Sequence, residues 1–280
     1  MNDIDIIDIK EKNIKGAYVI DGFPSVGLVG SIVANYLVSF LNLEQIAVVD
    51  SIYFPSISLV RDGVPLSPVR VYGGSLGTKG QEKVVVFVSE FQPAQDILKS
   101  LAITMMDWVE DHKCKMVISP EGLLSKEDTE RIEAYAQSVA ANKEVAEYVV
   151  PSSSSKLAGE GINVLGVGST PGARQTLKQI DVKTFENGVI AGLAGVLLNE
   201  GVARDFDVIT LLSEAHAEYP DARAAAAIMT VIDRMLLHVE LDLKPLLEEA
   251  ALIEGTLKDI QKKATTEDDV TKKKSSYMYS

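Results

Sequence analysis

Glu214, His216 and Glu218 alternate along the chain, so an extended backbone would set two carboxylates and one imidazole on a single face. Transition-metal sites usually take more nitrogen or sulfur than one histidine supplies. On a helix, residues two apart diverge and the trio dissolves. His112 and His238 lie close to Asp111 and Glu240, but neither has a nucleophile at the spacing of an acyl-transfer triad. Cys114 is the only cysteine, which excludes an intramolecular disulfide and a cysteine-based zinc cluster within one chain. These residues assign no catalytic group and imply no metal or cofactor.

Two glycine-rich stretches could instead hold an anion. The first runs from Gly22 through Phe23, Pro24, Ser25, Val26 and Gly27 to Gly30, between a strand and a helix. Backbone N–H groups at such a junction can cradle phosphate. Yet a phosphate loop needs Lys and Ser/Thr directly after its second glycine, and Leu28 and Val29 stand there. The spacing also misses the dinucleotide fingerprint, so close helix–sheet packing explains these glycines better. The second stretch, Gly166 to Arg174, offers two hydroxyls, Ser169 and Thr170, and one guanidinium after a strand. It is the candidate anion site of an alternative reading, a small-molecule-binding protein or enzyme. A Pro171-Gly172 turn with solvent-facing hydroxyls accounts for it equally well.

The elements that must position these residues follow from hydrophobic periodicity. Ile4, Ile6, Ile7 and Ile9 alternate with aspartates, predicting a half-buried strand. Ala17–Ile20, Gln45–Val49, Ile57–Val60, Val69–Tyr72, Val84–Val88, Lys115–Ser119, Val145–Val150 and Ile162–Val167 read as further strands. Helical spacing spans Val26–Leu41, the stretch between Pro93 and Lys113, Ser125–Val139, a segment beginning near Asn187, and Asp221–Val239. No helix separates the strands between Gln45 and Val88, so that part of the sheet is expected to be antiparallel. Strand–helix–strand order around Pro93 predicts parallel pairing, and the whole reads as an α/β fold. Residues 1–245 form the expected α/β core, 246–261 a C-terminal helix and 262–280 a flexible tail.

Forty acidic against 27 basic residues leave a net charge of −13. Phosphate-backbone binding demands basic surface, so a generic nucleic-acid partner is not expected. The N-terminal residues read as a strand rather than a leader, and no apolar run is long enough to span a bilayer. A soluble cytoplasmic protein is expected.

Several stretches together resemble the archaeal relatives of the eukaryotic proteasome assembly chaperones. They are Gly22-Phe23-Pro24 with Val26, Gly27 and Gly30, then Lys115 to Gly122, Gly188 to Leu198, and Leu211 to Asp221. The resemblance spans roughly residues 10 to 255. It implies a three-layer α/β/α fold with a mixed sheet, reminiscent of nucleoside phosphorylases, that acts by binding proteins rather than by catalysis. The chain ends Met278-Tyr279-Ser280 after a polar segment, Lys262 to Ser276. That hydrophobic–tyrosine–any ending resembles the tails by which activators and assembly factors dock between α-subunits of the proteasome core particle. The resemblance makes Met278, Tyr279 and Ser280 the partner-binding residues, with the Ser280 carboxylate facing a pocket lysine. Surplus small and apolar residues in Val26–Leu41 and Asn187–Leu198 further predict burial between copies in a closed homo-oligomer.

Overall fold

Isoleucine and aspartate alternate near the N-terminus because one face of an edge strand is covered and the other is not. In the computed structural model, β1 (Ile4–Asp8) pairs antiparallel with β3 (Glu44–Ser51), burying Ile4 and leaving Ile7 exposed. The structure describes residues 3–76, 82–124, 163–217, 219–238 and 241–248. The chain divides into two compact units, Met1–Ser125 with Ile162–Leu241, and Lys126–Gly161 with Asp242–Ser280. Of the second unit, residues 244–248 are helical, where the sequence predicts a helix near Pro245. The expected helix Ser125–Val139, strand Val145–Val150, Glu218 and the Met278–Ser280 ending lie outside the described residues.

The first unit is built on a nine-stranded mixed sheet in the order β1-β3-β6-β7-β2-β8-β11-β9-β10. Its centre is parallel: β7 (Glu82–Ser89), β2 (Tyr18–Gly22), β8 (Met116–Leu123) and β11 (Val208–Glu214). Strands covered on both faces read as near-continuous apolar runs, which is why Val84–Val88 of β7 is unbroken by a polar side chain. No helix intervenes between β3, β6 (Val69–Leu76) and β7, and they are antiparallel, as the missing crossovers predict. The predicted Ile57–Val60 strand lies apart from this sheet: β4 (Leu59–Arg61) pairs with β5 (Val64–Leu66) alone. β7 and β8 are parallel through their helical crossover, but β2 is inserted between them. β11, absent from the sequence expectation, sits between β8 and β9 (Val164–Gly168). The short β10 (Lys183–Thr184) closes the far edge.

Helices cover both faces, giving the three-layer α/β/α arrangement. On one face, Val19, Phe87 and Val117 pack with Leu101 and Met105 of α2 (Leu98–Asp111) and with Leu197 further along the chain, in α4 (Gly192–Arg204). The opposite face carries α1 (Val29–Phe40), α3 (Pro171–Gln179) and α5 (Ala222–Ile232), which runs on through a π turn to Leu237. The predicted helix Val26–Leu41 is interrupted: Gly27 and Leu28 take left-handed backbone angles, φ 61° and 52°, so a 3-10 turn precedes α1. The small residues of α1 are used within the chain. A Cβ on Gly30 would stand 2.7 Å from the Phe23 carbonyl, and Ala34 lies against Gly22. Among the described residues, no helix is long and apolar enough to cross a membrane.

Candidate functional site

Three separated segments meet at the carboxyl ends of the parallel strands: the 22–30 loop after β2, the end of β8, and the 214–221 loop after β11. Glycine permits the approach. A Cβ on Gly122 would lie 2.2 Å from the Val26 carbonyl oxygen, and one on Gly27 would lie 2.9 Å from that of His216. Gly27 also accepts at its carbonyl from Asp221 N at 2.8 Å. The chain leaves β2 for α1 on one face and β7 for α2 on the other, so a topological switch point lies between these strands. Open α/β sheets place their ligand crevices there.

A polar row is buried beneath this junction. Asp21 on β2 and Ser119 on β8 are both buried, and Ser119 Oγ donates to Asp21 Oδ2 at 3.0 Å. The other carboxylate oxygen accepts from Phe23 N at 3.1 Å. Ser119 pairs in register with Thr210 of β11, so both side chains share a face of the sheet. Burial pushes the Asp21 carboxyl up to about 6, against the lowering effect of these two hydrogen bonds. Glu121, two residues past Ser119 on the same face, is raised well above the ordinary carboxyl range. Burial is the main cause, then the charge of Asp21, while a hydrogen bond from Ser25 opposes them. Ser25 Oγ in turn accepts from Gly30 N at 3.2 Å, tying the carboxyl pair to the start of α1. Two neighbouring acids pushed upward, Asp21 buried and Glu121 partly so, favour a shared or retained proton over two charges. Sequence reading passes over both, because Asp21-Gly22 scans as a turn and Glu121 as part of a Pro-Glu-Gly loop. The available signal was one acid inside each otherwise apolar strand.

His216 does not join Glu214. It lies beyond β11, and its Nδ1 donates to Asp221 Oδ2 at 2.7 Å while its ring stacks on Tyr219 at 4.6 Å. Asp221 caps α5 by accepting from Arg223 N and Ala224 N. Burial would raise the Asp221 carboxyl, but the bonds from His216 and Ala224 outweigh it and hold the group below its usual range. Glu214 ends β11 and is exposed. Among the described residues, no three His, Cys, Asp or Glu side chains are grouped to hold a metal.

The Gly166–Arg174 stretch is a helix start rather than a turn. Thr170 is the N-cap, accepting from Ala173 N at 3.0 Å, and Pro171 occupies the first turn. Its hydroxyl also bonds Asp207, whose carboxylate already supplies negative charge at the start of α3. Ser169 Oγ donates to the Phe206 carbonyl, and Arg174 Nη1 to the carbonyls of Gly168 and Ser169. The groups expected to surround an anion are engaged by the protein itself. The His112 ring lies tilted against Trp108, with 4.1 Å between ring centres, and reaches Asp8 at 3.4 Å, beside an open groove of about 520 Å³ along β1. Cys114 is buried, and burial pushes its thiol up to about 12, which removes it as a nucleophile.

The segments that meet at the carboxyl ends of β2, β8 and β11 contain three of the four stretches that carry the sequence resemblance. Residues 19–261 match the PAC2 family. The chain belongs to the PAC2 family. An uncharacterized protein of Methanocaldococcus jannaschii is 24% identical over 242 residues, 86% of this chain and 84% of the relative. Among solved structures, Pyrococcus furiosus PbaA, an archaeal homolog of proteasome-assembly chaperone, is 25% identical with a TM-score of 0.69, covering 92% of this chain and 96% of PbaA. Pyrococcus furiosus PbaB, an archaeal proteasome activator, is 21% identical with a TM-score of 0.71, covering 93% of this chain and all of PbaB. The mixed sheet with helices on both faces is therefore the PAC2 fold, and its conformationally constrained glycines lie where the three segments touch.

Proposed function

We propose that this PAC2 chain is a non-enzymatic, cytoplasmic, proteasome-binding protein, an assembly chaperone or activator of the core particle. The observation that carries the proposal is the match over residues 19–261 combined with likeness to PbaA and PbaB. The Met278-Tyr279-Ser280 segment is the proposed docking element, entering a pocket between α-subunits. Met278 adapts to an uneven apolar wall, Tyr279 buries a ring while keeping its hydroxyl paired, and the Ser280 carboxylate makes a charge-assisted bond. One such contact is weak on its own. A homo-oligomer presenting several tails raises the effective concentration and turns weak docking into avidity. The alternative of an anion-binding protein loses support because Thr170 and Arg174 are already bonded within the chain. Pull-down of purified core particle by the full chain, with and without the last three residues, tests the reading. Retention by the full chain and loss on truncation is expected; equal retention would remove the tail, and no retention by either would remove the partner.

A further inference from the structure

The 22–30 loop is tied to two carboxyl groups. Phe23 N donates to Asp21 Oδ1, and the Ser25 hydroxyl donates to Glu121 while accepting from Gly30 N at the start of α1. Among the described residues, no lysine, arginine or histidine pairs with either acid. The elements packed around them bring no counter-charge. Residues 22–43, the loop and all of α1, contain no Asp, Glu, Lys, Arg or His. β7 sets Phe87 beside Asp21, β8 offers Ser119, and β11 sets Leu212 in register with Glu121. α2 and α4 cover this face with Leu101, Met105 and Leu197. Their charged side chains serve one another: Lys99 pairs with Glu200, and Arg204 with Asp107 and Glu110. Beside α5, His216 pairs with Asp221.

Two negative charges at such a junction repel more strongly than they would in water. Asp21 cannot turn away, since it is buried and bonded at both carboxylate oxygens. Glu121 is only partly buried and lies near the outer end of β8, so it is the member that can swing to solvent. Swinging gives up the bond to Ser25. It also shifts the backbone at Gly122, which packs directly on the Val26 carbonyl. The far side of the loop is joined to the segment after β11, because Asp221 N donates to the Gly27 carbonyl. Between these ties Leu28 stands at φ 52° without glycine's freedom. A residue so placed keeps its conformation only while its surroundings impose it, and the loop is therefore poised to relax when a tie is cut.

We propose that Asp21 and Glu121 form a proton-operated latch on the 22–30 loop, closed while the pair holds at least one proton and released when both are ionised. Both carboxyls are raised in the folded chain, so the closed form is favoured at low pH and lost as pH rises past about 6. Amide exchange of the full chain at about pH 5 and pH 8, corrected for the intrinsic rate, reads the latch. Protection across residues 22–30 is expected to fall by at least about tenfold at the higher pH while β7 stays protected. In Glu121→Gln, which keeps an acceptor for Ser25 and cannot ionise, that fall should vanish. Ser25→Ala keeps both acids and cuts the tie, so its loop should be poorly protected at either pH; this variant carries the test if Glu121→Gln does not fold. A parent loop equally protected at both pH values would overturn the proposal, as would a fall shared equally by β7, which marks global unfolding. A Glu121→Gln loop that opens like the parent's, or a Ser25→Ala loop that is closed at pH 5 and open at pH 8, would overturn it too.

Discussion

Ser119 Oγ donates to Asp21 Oδ2 at 3.0 Å, joining residues 98 positions apart across β8 and β2. The bond lies at the one place where the 22–30 loop, the end of β8 and the loop after β11 press together. Its energetics are dominated by burial, and that sets the sign of its pH dependence. Burial raises the Asp21 carboxyl from 3.8 to about 6, so the fold holds this proton more tightly than the unfolded chain does. The group's stabilising contribution is full below about pH 4 and is lost as pH rises through about 6. A shift of this size corresponds to on the order of 3 kcal/mol. Glu121 is shifted in the same direction.

Asp21→Asn is expected to remove much of that loss. Denaturant titrations of parent and variant at pH 4.5 and pH 8 should show the difference in stability moving by about 2–3 kcal/mol in the variant's favour at the higher pH. Identical pH slopes for the two proteins would show that Asp21 does not carry the effect.

Gly122→Ala places a methyl group 2.2 Å from the Val26 carbonyl oxygen and 3.0 Å from Ala215 Cβ. Backbone rather than a flexible side chain must then move, so the expected loss is about 3 kcal/mol. The denaturation midpoint measures it, and a change under about 1 kcal/mol would mean that the 22–30 loop yields easily.

Arg70 is fully buried and donates to Tyr72 Oη at 3.0 Å and to the Ser67 carbonyl at 2.7 Å, besides pairing with Glu90. Arg70→Ala should cost about 3 kcal/mol, because partner groups are left without their donor. Arg70→Lys should recover little of it, since a single ammonium cannot reproduce the planar fork. Thermal melts of the two variants should fall close together; a lysine variant melting like the parent would contradict the directional role.

Tyr279→Ala should weaken core-particle binding by at least about tenfold while the melting temperature stays unchanged. Appending a few residues after Ser280 should do comparable damage by displacing the carboxylate. Surface-immobilised core particle with the soluble chain as analyte reads both, and parent-like binding by both variants would remove the tail from the mechanism.

Periodicity belongs to the chain itself. The Ile–Asp alternation of β1, the valine run of β7, the end of α2 before Lys113 and the Asp221 start of α5 were legible because each pattern needs only a few neighbouring residues and one buried face. The Gly22–Gly30 and Leu211–Asp221 stretches and the order in which they occur carried the family resemblance for the same reason. Which strands lie side by side is another matter. That β2 separates β7 from β8, that β11 completes the parallel centre, and that His216 turns to Asp221 instead of Glu214 depend on packing summed over the whole sheet. Thr170 shows the boundary most clearly: its sequence suits a helix cap and an anion loop alike, and Asp207, 37 positions away, decides between them. A polar side chain takes its role from the backbone brought beside it, and that neighbour is chosen by burial far along the chain.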